Sequence, residues 1–296
     1  MTLVEVVGAV GITARRIRRI GWQSGAGLGN QHWHVWAVDG GRYVLRRHAE
    51  FQTLPQIEYE AEVLSHLADL GWLVPWRIGA TTEFDGRLYS TYSYVPGRRV
   101  ADTAVRREER GELMARLHRD AAPLARLGQR PGYDRLHDLA PLRARVNWPD
   151  RLAALAETDR ALAAEIAQVN DAVEAELGRH PLNDLPATVI HCDFQSHNIH
   201  YLRGRFCGIV DFDLAHLDLR VADLAIAWTP ELLDGYRGAA DPPLSRDEEA
   251  AIGPLRRALR LQQIAFLLER ADPDALEHQL RRITESRSFG RRAEQP

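Results

Sequence analysis

Apolar and β-forming residues crowd the stretch from Trp33 to Val38, and do so again in Arg42-Tyr43-Val44-Leu45-Arg46-Arg47, with Gly40-Gly41 between them. Two short runs of this kind about a glycine pair predict a β-hairpin. The period then changes. Ile57, Ala61, Leu64 and Leu67 recur at spacings of four and three, which predicts a helix stopped by Gly71 and Pro75. A strand is expected from Leu88 to Val95, ended by Pro96-Gly97. Beyond it helical spacing dominates. Leu113, Met114 and Leu117 mark one helix, and Leu155, Leu162, Ile166, Val169, Val173 and Leu177 a longer one. Residues 255–283 predict one or two more, broken at Asp272-Pro273. A short β island at residues 187–210 interrupts them. The pattern as a whole predicts an α+β chain with a small β-rich lobe over residues 1–95 and a larger, mainly helical lobe over 96–296.

Composition narrows the function classes. The chain has 296 residues, a net charge of −3 and a pI near 6.5, without the basic excess of a nucleic-acid binder. No apolar run approaches the roughly 20 residues of a membrane helix, and the amino-terminal charges follow the apolar stretch, the wrong order for a secretory signal. The two cysteines, Cys192 and Cys207, are too few for a disulfide scaffold, so a reducing, cytoplasmic setting is expected. All 38 basic residues are arginine, so any task usually given to lysine falls to arginine here.

The candidate chemistry lies in the island. It reads His191-Cys192-Asp193-Phe194-Gln195-Ser196-His197-Asn198, then two β-type runs about Arg203-Gly204-Arg205, then Asp211-Phe212-Asp213. Residues equidistant from a hairpin turn face each other. A turn centred on Arg203-Gly204-Arg205 puts Asn198 and Asp211 side by side at the open end, where an amide oxygen and a carboxylate can share one magnesium ion with substrate phosphates. Asp193, five residues before Asn198, is placed to accept a proton from an attacking hydroxyl. His191, Cys192, His197, His200, Cys207 and His216 raise a zinc reading, but no paired ligand spacing with a matching second pair is present.

The run His191-Cys192-Asp193-x₄-Asn198, followed by Ile209-Val210-Asp211-Phe212-Asp213 and Asp223-Leu224-Ala225, resembles the aminoglycoside phosphotransferase and choline kinase group, small-molecule relatives of the protein kinases. The aspartate–asparagine spacing also matches the kinase catalytic loop, and Leu113 to His118 resembles the family helix ending in Leu-His. The likeness spans roughly residues 20–270. It implies a protein-kinase-like fold, ATP or GTP as phosphoryl donor, magnesium on Asn198 and Asp211, Asp193 as catalytic base, and Asp223 as a brace for the catalytic loop. It also implies that His191 braces the loop. Cys192 and His197 stand where family members commonly carry glycine.

The resemblance further calls for a basic residue on a small-lobe strand to hold the α and β phosphates. Arg46 and Arg47 compete. Strand alternation puts Val44 and Arg46 on one face, matching the kinase arrangement of a small apolar residue two positions before the base, and so favours Arg46. Glu60 matches the family position for its orienting carboxylate, with Glu58 and Glu62 as competitors. Gly25, Gly27 and Gly29 are candidate phosphate-loop glycines, and Ser93 and Tyr94 fall in the expected hinge to the base. Asp213 is open between metal ligand, substrate contact and structural support. Residues 241–249 read as a solvated acidic loop and helix start. The acceptor is expected to be a small hydroxylated molecule, an antibiotic first, a metabolite such as homoserine or choline second. A nucleotide-binding protein without catalysis is the alternative of another class.

Overall fold

A computed structural model describes residues 2–20, 29–268 and 273–290. In chain order the elements begin with α1 (Leu3–Gly8), β1 (Ala14–Arg19), β2 (Gln31–Ala37), β3 (Arg42–Arg47), α2 (Leu54–Asp69), β4 (Arg77–Phe84) and β5 (Arg87–Ser93). Then come α3 (Ala104–Ala121), α4 (Leu139–Arg145), α5 (Trp148–Thr158), α6 (Arg160–Leu177), β6 (Ala187–Ile190), β7 (Ile199–Leu202), β8 (Arg205–Ile209) and β9 (His216–Leu219). The chain continues through α7 (Arg220–Ile226), α8 (Pro230–Ala239), α9 (Arg246–Leu268) and α10 (Pro273–Gly290). Among the described residues no helix is long and apolar enough to cross a membrane.

The chain divides into two compact units, and not by a single cut. The first contains residues 1–102, 130–132 and 195–215; the second contains 103–129, 133–194 and 216–296. The first run of the first unit thus extends past the expected boundary at residue 95, and the hairpin β7–β8 returns to that unit.

The first unit is built on an antiparallel sheet of order β1-β2-β3-β5-β4. The expected hairpin is β2–β3, with Trp36 opposite Arg42 and His32 opposite Arg46. The alternation of β3 assigns its faces. Leu45 joins a core with Val6 and Val7 of α1, Val35, Ala37 and Tyr89. Arg46 turns the other way and meets α2. That helix buries Ile57, Glu60, Val63, Leu64 and Leu67, the face its three–four spacing predicts. Strands β1 and β4 carry weak alternation and were not evident from the pattern.

The hairpin β7–β8 docks on the same unit. The Ile209 N–H donates to the Leu73 carbonyl at 3.1 Å, and Arg98 pairs with Tyr201 through bonds of 2.9 and 3.0 Å. Gly208 permits that approach, because a Cβ there would stand 2.5 Å from the Leu73 carbonyl oxygen.

In the second unit, α3 and α8 cross with a glycine on each side, and a Cβ at Gly111 or Gly235 would overlap backbone of the other helix. The single long helix expected over 155–177 is two. Asp159 ends α5 and caps α6, accepting the Leu162 N–H at 2.9 Å, so a capping residue interrupts a continuous apolar period. Strand β6 pairs with β9, which the sequence pattern did not show. The acidic stretch is only partly solvated: Glu248 is buried and grips Arg220, with Nη2 to Oε2 at 2.9 Å.

Candidate functional site

The first unit carries a buried charge centre on β3. Arg46 is 4% exposed and Glu60 is fully buried. One Nη of Arg46 donates to both Glu60 oxygens, at 2.8 and 3.1 Å, and also to Asp213. Its Nε donates to His32 at 3.2 Å, and the guanidinium lies 4.6 Å from the Tyr92 ring centre. Of the two strand arginines, Arg46 is therefore the buried one that meets a helix carboxylate. Of the three glutamates, Glu58 is taken by Arg77, with Nη2 to Oε2 at 2.7 Å. Asp213 also accepts from Asn30, whose own oxygen receives the Ala49 N–H at 2.8 Å. The structure thus gives Asp213 a supporting place against Arg46.

Electrostatics follow from this centre. Burial opposes the charge of Arg46, but Asp213 and Glu60 outweigh it and hold the guanidinium protonated. Burial pushes the Glu60 carboxyl up while Arg46 opposes. Two neighbouring histidines respond in the other direction. Burial and the Arg46 charge lower His32 to about 4, and lower His48 to about 3. His48 is held neutral between Gln52 and Ser90, at 3.1 and 2.8 Å.

Arg130 belongs to this unit and gave no periodic or motif signal in the sequence. It is fully buried, donates to the carbonyls of Asp213 and Ala215 at 2.7 and 3.0 Å, and lies 4.0 Å from Glu60. It fastens the loop that follows Asp211. Val44 is half-buried on β3, and Gly29 precedes Asn30 in a bend. Gly25 and Gly27 lie outside the described residues, as does Trp22. The Ser93 N–H is committed to the Trp76 carbonyl at 2.9 Å, and Tyr94 beyond it stacks under Arg42, 3.8 Å from the ring centre.

The hairpin corrects one expectation. Leu202 faces Arg205, so the turn is the two-residue Arg203-Gly204, both with positive φ. The register then shifts between His200 and Tyr201, leaving Cys207 as the extra residue of a bulge. Asn198 consequently faces Val210, accepting its N–H at 3.0 Å, and Asp211 is one position further along rather than directly opposite. Asp211 has φ of 70° and is exposed, while Asn198 is buried. Among the described residues no three His, Cys, Asp or Glu side chains converge on a metal-holding centre. An amide oxygen and a carboxylate on adjoining strand ends are the hard oxygen donors that suit a magnesium ion.

The second unit carries an anionic centre. Asp223, fully buried in the first turn of α7, accepts the N–H groups of His191 at 2.9 Å and Cys192 at 2.8 Å. It also meets His118 Nε2 at 3.0 Å, and His118 Nδ1 meets the Tyr236 hydroxyl at 2.9 Å. Burial alone would raise the Asp223 carboxyl; the His118 bond and the neighbouring charges hold it below the usual range. The clamp fixes the two peptides before Asp193, whose own N–H donates to His191 Nδ1 at 3.2 Å. Asp193 itself is half-buried.

Cys192 takes φ of 66°, the left-handed region that glycine enters freely. Burial keeps it a thiol, hydrogen-bonded to His216. His216 Nε2 lies 3.4 Å from buried Asp218. Burial would lower the imidazole, but these hydrogen bonds outweigh it and hold the ring protonated. Non-glycine residues at positive φ therefore stand in both motifs, at Cys192 and Asp211, as strained backbone does at working sites.

The phosphotransferase enzyme family matches residues 23–262. The chain belongs to this family. It is similar to the homoserine kinases of Xanthobacter autotrophicus (31% identical over 256 residues) and Chelativorans sp. (29% over 253 residues), with 78% of this chain and 73% of each relative covered. Its fold is similar to that of the amicoumacin kinase hAmiN in complex with AMP-PNP, Ca²⁺ and Ami, at a TM-score of 0.69 and 15% identity, covering 96% of this chain and 93% of that one. The fold is kinase-like α+β, as the motif resemblance implied, and the chain is a small-molecule phosphotransferase.

Proposed function

We propose that this phosphotransferase moves the γ-phosphoryl group of ATP or GTP to the hydroxyl of a small, amino-acid-like alcohol. The observation that carries the nucleotide half is the buried Arg46–Glu60 pair, a guanidinium oriented by a carboxylate, a cation of the kind that binds phosphate oxygens. Arg46 holds the α and β phosphates and Glu60 keeps it aimed. Val44, Ser93 and Tyr94 border the base, and Gly25, Gly27 and Gly29 supply the phosphate loop. Asn198 and Asp211 hold magnesium, which when bound neutralises charge on the β and γ phosphates. Asp193 orients the acceptor hydroxyl and takes its proton as the new P–O bond forms and the bond to the β–γ bridging oxygen breaks.

The acceptor reading rests on the homoserine kinases, which are about twice as similar in sequence as the antibiotic kinase whose fold is shared. This moves the antibiotic acceptor of the sequence reading to second place. The test is a coupled assay with Mg-ATP and Mg-GTP against L-homoserine, choline and a panel of antibiotics, run beside Asp193→Asn. Turnover of L-homoserine that collapses in the variant is expected. Turnover of an antibiotic alone would replace the acceptor, and equal rates in wild type and variant would remove Asp193 as base.

A further inference from the structure

Two arginines of the second unit, Arg256 and Arg260, stand without a carboxylate partner among the described residues. Arg256 and Arg260 stand one turn apart on α9 and share a face. Arg282 on α10, which packs along α9, lies near enough for its charge to act on both. Arg257, between them in sequence, is paired with Glu176, its Nε to Oε2 at 2.6 Å. Arg260 donates to Gln263 at 2.7 Å, and the Arg256 guanidinium lies 5.0 Å from the centre of the Trp228 ring. Stacking on an aromatic face fixes a guanidinium while leaving its in-plane donors open.

The place matters as much as the charge. Trp228 lies two residues beyond the end of α7, the helix that carries Asp223 and packs against α9, and Asp223 clamps the peptides that lead into Asp193. We propose that Arg256 and Arg260, with Trp228 as their floor and Arg282 beside them, form the subsite for a carboxylate on the acceptor. The inference rests on the phosphotransferase reading and adds the charge of the substrate. Burial and the charges of Arg260, Arg257 and Arg282 lower Arg256 to about 10, so an arriving carboxylate relieves a repulsion already present. The same cluster repels a polycationic acceptor, which sets this chain apart from a kinase of cationic antibiotics.

The test compares L-homoserine with L-homoserine amide, which differ in that one charge, on wild type, Arg256→Gln and Arg260→Gln. In wild type the amide should show a KM about 10- to 100-fold higher. Each variant should raise the KM for homoserine by a similar factor, with kcat and the KM for ATP unchanged and the amide unaffected. Removing a repelled cation should leave the melting temperature level or higher, whereas loss of a merely structural arginine lowers it. Equal effects on acid and amide, or none on either, overturn the subsite, as does turnover of a cationic aminoglycoside with none of homoserine; in that last case the phosphotransferase reading stands. If no acceptor is turned over, the melting shift produced by homoserine decides. A shift in wild type that the amide does not give and Arg256→Gln loses supports the subsite, and its absence sinks it.

Discussion

The histidines beside the buried charge clusters of the two units respond in opposite senses. In the first, Arg46 is neutralised by Glu60 and Asp213, yet it is the charge that presses on His32 and His48, which give up their protons. In the second, the fixed charges are anions, Asp218 and Asp223, and His216 beside Asp218 keeps its proton. Burial presses every one of these histidines toward the neutral form. The sign of the nearest buried charge decides which yields. The functional reading follows the same division. A cation presented by a strand suits phosphates, and an anion that clamps backbone N–H groups suits the shaping of a catalytic loop.

The most severe test of the division is Asp193→Asn. Loss of a general base lowers kcat by about 10²- to 10⁴-fold, and because the Asp223 clamp grips only the preceding peptides, the melting temperature should hardly move. A rate within a few fold of wild type would show that the anionic unit shapes the loop without performing the chemistry.

Next in size is Glu60→Ala. It leaves Arg46 buried with half its neutralisation, and breaking a buried pair from one side costs about 3–5 kcal/mol. Denaturant unfolding should show that loss, and the KM for nucleotide should rise. Glu58→Ala is the control: Glu58 is about half exposed in its pair with Arg77, so the change should stay within about 1 kcal/mol. Equal losses in the two variants would mean that the Arg46 centre is not the organising charge of the first unit.

The histidines make the contrast measurable by pH. His48 is depressed to about 3, so the unfolded chain binds its proton first. Its penalty is absent above pH 6.5 and grows as pH falls toward 3, reaching about 3 kcal/mol by pH 4. His48→Gln should flatten the melting-temperature slope between pH 6.5 and 4. His216 works in the other sense. Its folded value is raised, so its contribution is full below 6.5 and is lost as pH climbs through the raised value. His216→Gln should flatten the alkaline limb instead. If both variants alter the same limb, the opposition between the units is wrong.

The smallest expected effect is that of Cys192→Gly. A non-glycine residue in the left-handed region costs about 1–2 kcal/mol, which glycine relieves while giving up the bond to His216. The two changes oppose, so the melting temperature should stay within a few degrees and turnover should persist. A collapse of turnover at unchanged stability would assign the thiol a part in the chemistry.

Much of this was legible in the residues. The hairpin β2–β3, helix α2 and the island motifs depend on local pattern: alternation, a three–four period and turn glycines act within a few residues. The choice of Arg46 over Arg47 needed strand alternation together with the kinase pattern of a small apolar residue two positions earlier, and the carboxylate that meets it, Glu60, stood in its motif. Elsewhere the local signal competed with another. The apolar period across 155–177 ran through Asp159, and the capping oxygen of that one residue ended a helix that hydrophobicity alone continued. The two-residue turn alone would set Asn198 opposite Ile209, two places from Asp211, and the bulge at Cys207 brought Asp211 one place closer, because register depends on how β8 pairs along its length as well as on the turn.

The sequence by itself determined the kinase-like α+β class, the order of the family motifs and the strand arginine proposed to meet phosphate, since each is carried by neighbouring residues. Only the tertiary structure decided the rest. It put Arg130 under the loop after Asp211, joined Asp213 to Arg46, returned residues 195–215 to the first unit, buried Glu248 against Arg220, and, among the described residues, gave Arg257 a carboxylate and Arg256 and Arg260 none. These are contacts between residues far apart in the chain, and a buried charge takes its state from whatever the fold brings beside it.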